Sequence, residues 1–384
     1  MHLWNSKIVN AYHPRLVKVE TVQGKVFHLV MQSATENLQS MEIREKIMLE
    51  NKIYSAALIG TGRIGYSLGL DKKREQPASH SMALNAEKRI NLVAGCDTNA
   101  ENLERWHRAN RRAAAFTNIE ELLKSQKFDI ITVAVNEDAH LEAALAAIAA
   151  KPRLLILEKP VALNMKDGMK IKRAAEEAAV PVLVNHERRF AKDYAKAKSL
   201  ISSIGELQSV HASLMSGLRV YSAKEEATGA YSLIHDGTHL VDIVRFLLDD
   251  PVLEKPQISG IFKSEDGAVR NVSAHYQTES GTSVAFDFSG RSKFFGFEVV
   301  LTGTLGRISI GNGIAKLERR RASKLYTGFY SLTKENVHFP KKTGYFSNMV
   351  KNAADFLDGT APLKSTIDTG LAALKMLEEI KEAL

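Results

Sequence analysis

Two histidines, His235 and His239, stand four residues apart in the segment HDGTH, and Asp236 follows the first of them. Positions four apart on a helix lie on one face, so both imidazoles could enter one cleft. Imidazoles in a cleft bind metals or carry protons, and buried ones can also serve packing alone. A zinc site needs at least a third protein ligand, and HDGTH lacks the glutamate of HExxH, so we predict no metal.

A glycine-rich segment, GTGRIG at 60–65, directly follows the apolar run IYSAALIG. In a GxGxxG pattern the first glycine permits a tight turn, the second lets backbone approach a pyrophosphate, and the third lets a helix pack closely on the strand. The N-terminus of a helix after the loop would offer free N–H groups to the phosphates. The segment therefore predicts a dinucleotide site formed by Gly60, Gly62, Arg63, Ile64 and Gly65.

An acidic residue, Asp97, closes the next apolar run, INLVAGCD. A carboxylate here either closes a turn or binds the ribose hydroxyls of a dinucleotide, and in the second case it repels a 2′-phosphate and favours NAD over NADP. Its separation from the glycines exceeds the usual spacing of about 20 residues. The segment 66–85 can absorb the excess as an insertion near the mouth of the site. Arg105 and Arg108 leave NADP open as the cofactor.

The scaffold for these residues is predicted by an alternating pattern over 52–184. Runs of mostly apolar residues predict strands that are buried on both faces, at 53–60, 90–97, 128–135, 153–160 and 180–187. Helix-like segments separate several of these runs, at 99–110, 138–150 and 164–179. The alternation predicts an α/β domain with a doubly wound parallel sheet.

The second half of the chain has a different pattern. Successive strands with alternating polarity between 257 and 313 predict a large, mostly antiparallel sheet, and helices near 191–204, 345–357 and 367–384 make this half α+β. Residues 1–51 form an extension, with a possible small hairpin at Gln23-Gly24 and a polar helix after it. We therefore predict three parts: the extension 1–51, a cofactor domain 52–184, and a substrate-binding and oligomerisation domain 185–384.

Composition limits the partners of the chain. The net charge of +8 suits small anionic ligands. The basic run KLERRRASK at 316–324 lacks interleaved aromatic residues, so we predict a solvated surface there and no nucleic-acid partner. A single cysteine, Cys96, excludes an internal disulfide and favours a reducing, cytoplasmic setting. No apolar run reaches the length of about 18 residues that spans a membrane.

The segment ILEKP at 156–160 adds a motif that points to a family. A dinucleotide-binding unit with Glu-Lys-Pro at the end of the strand predicted at 153–160, followed by a sheet domain, resembles the Gfo/Idh/MocA oxidoreductases over about residues 52–384. Further matching pieces are NHERRF at 185–190, IGEL at 204–207, the Gly-x-His element at 237–239 and GTLGRI at 303–308. The resemblance implies an N-terminal Rossmann domain and a C-terminal α+β domain.

The same resemblance implies an NAD(P)-dependent dehydrogenase or reductase that acts on CH–OH groups. It would transfer a hydride between nicotinamide and a secondary alcohol or ketone of a sugar, cyclitol or sugar derivative. Lys159 would lie at the nicotinamide, where a cation stabilises the developing alkoxide, with Glu158 as a supporting residue. His239 would be the general acid/base. His235 would bond substrate or relay a proton, and substrate binding is assigned to Arg188 and Asp236.

The sequence departs from the family pattern near these residues. The substrate-domain motif of the family is usually Asp-x-Gly-x-His, and His235 stands in place of its aspartate. After the strand that corresponds to the run 128–135 the family often has Thr-Pro-Asn-x-x-His. Here VNEDAH at 135–140 keeps only His140, which we interpret as structural, and Glu137 stands in place of the Asn. Glu187 replaces another common Asn, in NHERRF.

Two alternatives stay open at this point. One is a non-catalytic, NAD(P)-sensing regulator or partner-binding protein, and the other is an enzyme with tightly bound NAD that performs redox-neutral chemistry on glycosides. The presence of both Lys159 and His239 favours an enzyme, because a sensor needs the phosphate loop but no proton-transfer pair. The resemblance also implies a homodimer or homotetramer formed through the open face of the C-terminal sheet.

Overall fold

Two β-sheets organise residues 52–384, which are the residues that the computed structural model describes. The hairpin and helix predicted for residues 1–51 lie outside the described residues. Residues Ile53–Leu384 form one compact unit that contains both sheets. The predicted fold class, a doubly wound parallel sheet plus a large, mostly antiparallel sheet, is confirmed. The domain boundaries at 51/52 and 184/185 stay predictions.

The first sheet has six parallel strands in the order β3-β2-β1-β4-β5-β6. The strands are β1 (Tyr54–Ile59), β2 (Ile90–Cys96), β3 (Ala114–Phe116), β4 (Ile130–Val133), β5 (Leu154–Leu157) and β6 (Val182–Val184). All of them except β3 correspond to a predicted apolar run. The order reverses between β1 and β4, which is the switch point where doubly wound sheets bind ligands beyond the carboxyl ends of the strands.

Helices cover both faces of this sheet, which is why its central strands are apolar throughout. Every residue of β4 and of β5 is buried. The helices of this half are α1 (His80–Ala86), α2 (Ala100–Ala109), α3 (Ile119–Ser125), α4 (His140–Ala149) and α5 (Met165–Glu177). Asparagine side chains cap α2, α3 and α5 by accepting backbone N–H bonds in the first turn, which defines where these helices begin.

The second sheet has eight strands in the order β14-β13-β12-β11-β7-β10-β9-β8, and the pair of β7 and β10 is parallel whereas the other neighbouring pairs are antiparallel. The strands are β7 (Leu207–Met215), β8 (Gln257–Lys263), β9 (Val269–Gln277), β10 (Ser283–Ser289), β11 (Gly296–Gly303), β12 (Gly306–Gly311), β13 (Ile314–Ala322) and β14 (Tyr330–Lys334). One face is apolar and buried, as Val284, Phe286 and Phe288 of β10 illustrate.

Most of the basic run at 316–324 lies in a strand, β13, which the sequence analysis did not predict. Leu317 is the one buried residue of β13, whereas Arg320 and Arg321 are exposed. A strand near the edge of a sheet buries few side chains, so it leaves a weak apolar pattern. The run is exposed to solvent in large part, as expected, but it is paired on both sides by β12 and β14.

The remaining helices are α6 (Lys192–Leu200), α7 (Ser232–His235), α8 (Gly237–Leu247), α9 (Tyr345–Leu357) and α10 (Ile367–Lys381). Of these, α9 packs on the parallel sheet: its Phe346 and Met349 belong to the same buried cluster as Leu58 of β1. Polar contacts support this packing, because the Tyr54 hydroxyl donates to Asp358 at 2.5 Å. The end of the chain therefore completes the core that β1 begins.

Crossing a bilayer requires a long, apolar helix, and none of the helices within residues 52–384 meets that requirement.

Candidate active site

The phosphate loop follows β1 and has the shape that a pyrophosphate requires. Gly60 has a φ of 93°, and a Cβ there would lie 2.4 Å from the backbone oxygen of Ala134. A Cβ on Gly65 would lie 2.0 Å from the oxygen of Gly60, so neither glycine can carry a side chain. At Gly62 the nearest atom to a built Cβ is Nδ2 of Asn102 at 3.6 Å, an ordinary van der Waals distance, so this position is less crowded than Gly60 and Gly65. These residues fit a dinucleotide phosphate, with Arg63 exposed and Ile64 partly buried beside it.

The prediction of a regular helix directly after this loop is wrong, because irregular turns follow the loop. Backbone bonds from Ser67 to Gly62 and from Leu68 to Arg63, at 3.0 and 2.8 Å, close wide turns with a five-residue spacing. A 3-10 turn over Ser67–Leu70 follows, and the first regular helix, α1, begins only at His80.

The inserted segment explains this irregular turn. The backbone N–H groups of His80 and Ser81 donate to the oxygens of Ile64 and Gly65, at 3.1 and 2.9 Å. These two carbonyl groups are therefore bonded to the start of α1 and do not propagate a regular helix from the loop. As a result, α1 is fastened to the phosphate loop.

Asp97 lies beside the phosphate loop at the carboxyl end of β2. Its Oδ2 accepts bonds from the backbone N–H of Thr61 at 2.8 Å and from the Thr61 hydroxyl at 3.2 Å. Its Oδ1 accepts the backbone N–H of Asn99 at 2.9 Å. The carboxylate is partly exposed, at the position where the ribose of a dinucleotide lies in this type of fold.

Arg105 and Arg108, which made NADP a possible cofactor in the sequence analysis, form ion pairs within their own helix, α2. Arg105 donates to Glu101 at 2.8 Å, and Arg108 forms an ion pair with Glu104. Both pairs are exposed and span one helical turn of α2. Neither guanidinium is bonded to Asp97.

Glu158, at the end of β5, is buried under the site. Its Oε1 is 2.6 Å from His80 Nε2, and it also accepts the Asn185 amide at 2.6 Å. Burial acts to raise the pKa of Glu158, but the bond to His80, the charge of Lys159 and the Asn185 bond outweigh it and hold the pKa at about 2. The sequence analysis missed His80 and Asn185 as partners of this carboxylate.

Lys159 extends from the same strand end toward the HDGTH segment. Its Nζ donates to the backbone oxygen of His235 at 3.0 Å. The following residue, Pro160, is held by His140, whose Nδ1 is 2.6 Å from the Pro160 oxygen. His140 is buried, burial lowers its pKa, and its Nε2 lies 3.2 Å from the oxygen of Val135. These contacts support the structural interpretation of His140.

The HDGTH segment is divided between two helices, which corrects the prediction of one continuous helical face. Helix α7 ends at His235, and α8 begins at Gly237. The backbone N–H of His239 donates to Asp236 with the tighter three-residue spacing, at 3.1 Å. A Cβ on Gly237 would lie 3.1 Å from the Phe288 ring, so a glycine lets α8 start close to the sheet.

His235 forms a hydrogen bond with Glu137, a residue that the sequence analysis did not assign to the site. The contact joins His235 Nδ1 to Glu137 Oε1. Burial acts to raise the pKa of Glu137, but the bond and charge of His235 and the charge of Lys159 outweigh it, and the pKa lies below its ordinary value. The one signal was that Glu137 and His235 both depart from the family pattern.

His239 has a different environment. It is buried, its ring meets the ring of His186 edge to face at 6.2 Å, and its Nδ1 has no hydrogen-bond partner among residues 52–384. Burial, with the charges of Arg188 and Lys159, lowers the pKa of His239 well below its ordinary value. The ring is therefore neutral and retains hydrogen-bonding capacity for a ligand.

The two arginines of NHERRF have separate roles. Arg189 is buried and pairs with Asp242 at 2.8 Å and with Asp250 at 2.7 Å, so it is structural. Arg188 lies over the Phe297 ring at 4.0 Å and has its Nη1 3.4 Å from Glu187. Since neither contact saturates its five donors, Arg188 retains groups that could bind substrate.

Glu187 and Asp236 are the remaining acidic groups of this region. Burial raises the pKa of Glu187, and the nearby carboxylate of Glu158 adds to the effect. The Asp236 side chain is partly exposed and forms no hydrogen bond or ion pair with another described residue. Among residues 52–384, no group of three or more histidine, cysteine, aspartate or glutamate side chains could hold a metal ion.

Family models match both halves of the chain. The model described as "Oxidoreductase family, NAD-binding Rossmann fold" matches residues 54–186, and the model described as "GFO/IDH/MocA C-terminal domain" matches residues 194–309. These matches contain the phosphate loop, Lys159, His235 and His239.

Curated relatives are similar at low identity. The chain is 29% identical over 221 residues to a 1,5-anhydro-D-fructose reductase of Ensifer adhaerens, covering 54% of this chain and 65% of the relative. It is 24% identical over 220 residues to a 1-carboxy-3-chloro-3,4-dihydroxycyclo hexa-1,5-diene dehydrogenase of Comamonas testosteroni, covering 56% and 55%. The matches thus span between about half and two thirds of these relatives.

A solved structure shares the fold over more of the chain. An oxidoreductase from Agrobacterium radiobacter, in complex with NAD+, L-tartaric acid and magnesium, aligns with a TM-score of 0.66 at 18% identity. The alignment covers 86% of this chain and 96% of that protein. At this identity the likeness shows the fold.

Proposed function

The chain belongs to the Gfo/Idh/MocA family of NAD(P)-binding oxidoreductases, and from this premise we propose that it is a dehydrogenase or reductase acting on CH–OH groups. The proposed substrate is a secondary alcohol, or the corresponding ketone, of a sugar, a cyclitol or a sugar derivative. The relatives with reductase and dehydrogenase activities on such compounds support the reaction class.

The observation that carries the proposal is the position of Lys159. Its ammonium group lies at the carboxyl end of β5, near the switch point of the parallel sheet, and it bonds the backbone of the HDGTH segment at 3.0 Å. A cation at this edge faces the region where doubly wound sheets bind their dinucleotide. It can stabilise the negative charge that develops on a substrate oxygen.

The glycine-rich loop and Asp97 would hold the cofactor. The loop at Gly60, Gly62 and Gly65 leaves room for the pyrophosphate, and Asp97 offers oxygen atoms to the ribose hydroxyls. We propose NAD as the preferred cofactor, because the Asp97 carboxylate repels a 2′-phosphate and the arginines of α2 are paired with glutamates. When bound, the nicotinamide accepts or donates the hydride.

The residues of the chain would handle the proton that accompanies the hydride. In the oxidative direction the substrate hydroxyl loses its proton to an imidazole of the HDGTH segment, His235 or His239, while the carbon loses hydride. The Lys159 ammonium retains its own proton and stabilises the oxygen as it becomes a carbonyl. In the reductive direction the imidazolium returns the proton to the oxygen.

Arg188 and Asp236 are proposed to bind substrate, because Arg188 keeps free donors and Asp236 keeps its carboxylate unbonded among the described residues. The proposal also includes assembly as a homodimer or homotetramer and a cytoplasmic location.

The test is a panel of inositols, aldoses, ketoses, sugar phosphates and 1,5-anhydro-D-fructose, followed by the absorbance of the reduced nicotinamide. Lys159→Met should lower kcat by roughly 100- to 1,000-fold, the loss that follows removal of one group that stabilises an oxyanion, while NAD affinity changes little. Lys166→Met, at an exposed lysine, is the matched control. Unchanged turnover in Lys159→Met would contradict the mechanism.

A further inference from the structure

The two residues that depart from the family pattern contact each other. Glu137 lies in the loop after β4, and His235 ends α7, almost a hundred residues later in the chain. At the position where the resemblance implies an aspartate, this chain has the imidazole of His235, and the carboxylate of Glu137 contacts that imidazole.

The position of the Glu137 carboxylate distinguishes the environments of the two imidazoles. An imidazolium on His235 would form against the Glu137 carboxylate, in a partly exposed position. An imidazolium on His239 would be buried near the cations Lys159 and Arg188, and none of the described carboxylates is bonded to it. A buried, unpaired charge is strongly unfavourable. The geometry therefore places a carboxylate partner beside His235 and none beside His239.

We propose that His235, oriented by Glu137, is the proton acceptor of the reaction, and that neutral His239 only hydrogen-bonds the substrate. This assignment rests on the proposed function. It makes Glu137 a positioning residue, because Glu137 acts on the substrate through His235. It also replaces the expectation that His239 is the general acid/base.

The contact with Glu137 also determines the tautomer of the His235 ring. Because Nδ1–H donates to Glu137, the lone pair of the neutral ring is on Nε2, which has no partner among the described residues. Lys159 Nζ donates to the backbone oxygen of the same residue. The proposed proton acceptor, His235, therefore also binds the cation of Lys159 through its backbone oxygen, and both groups lie at one wall of the site.

The Glu137 side chain is itself supported from behind. Gly229 has a φ of 70°, and a Cβ there would lie 3.3 Å from Cβ of Glu137 and 2.6 Å from Leu163. The chain can therefore pass this close to Leu163 and to Cβ of Glu137 only with a glycine at this position.

The proton step is balanced within these groups. In oxidation the substrate O–H bond breaks, its proton joins Nε2 of His235, and the oxygen's electrons form the carbonyl as the carbon's hydride passes to the bound NAD(P)+. Glu137 stays a carboxylate and neutralises the imidazolium. The proton leaves His235 to solvent, which the 42% exposure of its side chain permits.

The first test needs no substrate. Imidazole nitrogen chemical shifts of nitrogen-labelled protein report the tautomer of His235, with His235→Gln used to assign the signal. We expect the Nδ1–H tautomer in the wild type and its loss in Glu137→Met, which has no acceptor. The same tautomer in Glu137→Met would contradict the contact, and Asp138→Asn, at an exposed neighbouring residue, should leave the signal unchanged.

The second test measures kinetics with the most active compound of the panel. Glu137→Gln, which keeps the shape but not the charge, should lower kcat by roughly 10- to 100-fold, the usual effect of losing such a supporting carboxylate, with the KM for NAD unchanged. Glu137→Asp should retain more activity than Glu137→Gln. Activity equal to wild type in Glu137→Gln would overturn the proposal.

The third test places a carboxylate at position 235, where the family pattern has an aspartate, and removes the one at Glu137. His235→Asp alone sets two carboxylates against each other, whereas Glu137→Asn with His235→Asp leaves one carboxylate and should melt at a higher temperature than the single variant. Both variants lack the proton acceptor, so both should turn over far more slowly than the wild type. Such coupling of two substitutions is the signature of a contacting pair. A double variant whose loss of stability is the sum of the single losses would overturn the pairing, and a double variant with the kcat of the wild type would overturn the assignment of His235.

These results separate the failure of this assignment from the failure of the proposed function. If no panel compound is oxidised or reduced, the proposed function fails, and the assignment of the proton acceptor fails with it. If the wild type turns over and Lys159→Met does not, but Glu137→Gln is fully active, the function stands and the assignment is wrong.

Discussion

The ammonium of Lys159 is bonded to the backbone carbonyl of His235 at 3.0 Å, and this bond joins the end of the parallel sheet to the helices that cover the second sheet. Because the acceptor is a backbone atom, the imidazole of His235 remains available for Glu137 and for substrate. The bond also places a positive charge at the start of α8, close to both histidines.

Substitutions at two glycines of the phosphate loop should have different effects on protein stability and on cofactor affinity. Gly62→Ala adds a methyl group at an ordinary van der Waals distance, 3.6 Å, from Asn102 Nδ2, so the melting temperature should change little, whereas the affinity for NAD should fall at least about 10-fold because the methyl group would hinder approach of the pyrophosphate to the backbone. Gly65→Ala should destabilise the protein even without NAD, because its Cβ would lie 2.0 Å from Gly60 O. Thermal melts and NAD titrations give both values, and equal effects of the two variants would contradict the prediction.

Cofactor choice should depend on Asp97. Asp97→Asn keeps an oxygen acceptor for Thr61 but removes the charge that repels a 2′-phosphate. We expect the ratio of kcat/KM for NAD over that for NADP to fall by about 10-fold or more, which corresponds to about 1.4 kcal/mol. Arg108→Gln, in an exposed pair, should leave the ratio unchanged. A higher ratio in Asp97→Asn would show that Asp97 does not select the cofactor.

Arg189 should be far more important for stability than an exposed arginine. Arg189→Met leaves Asp242 buried without its partner, so the free energy of unfolding should fall by about 3–5 kcal/mol. Arg105→Met removes an exposed pair with Glu101 and should change it by about 0–1 kcal/mol. Urea unfolding of both variants measures these differences, and similar values for the two would refute the buried pairing.

Acidification should destabilise the protein through its buried histidines. Burial lowers the pKa of His140, His186 and His239, so below the ordinary value of 6.5 the unfolded chain binds protons that the native state excludes. Stability should therefore be full above about pH 6.5 and decline as pH falls toward the native pKa values, by up to about 1.4 kcal/mol per pH unit for each histidine.

The urea midpoint between about pH 7.5 and about pH 5.5 measures this decline before most carboxylates titrate. His186→Asn should make the decline less steep, since one buried imidazole is removed. A midpoint that rises on acidification would contradict burial of these rings in the neutral form.

The parts of the molecule that could be predicted from the sequence are those with local signals. Continuous apolar runs predicted β1 and β5, and β3 was missed because three residues, Ala114–Phe116, leave no run. The position of Lys159 followed from its motif. The division of HDGTH between α7 and α8 was missed, because the four-residue spacing was given more weight than the Asp-Gly pair.

The partners of the site residues could not be predicted because the fold alone brings them together. His80 reaches Glu158 from an inserted segment, 78 residues earlier in the chain. Glu137 and His235 are 98 residues apart and have no local pattern in common. A departure from the expected motif at each position was visible, but only the folded chain shows that the two departures form one contact.

The packing of α9 on β1 has a consequence for synthesis on the ribosome. Leu58 emerges early, but its cluster is completed only when Phe346 and Met349 have been translated. Part of one face of the parallel sheet therefore stays uncovered while nearly three hundred residues are added, and the core of the cofactor half stays incomplete until α9 has been made. A ribosome-bound chain that stops before α9 should expose this apolar face and recruit chaperones, whereas one that extends past Leu357 should release them.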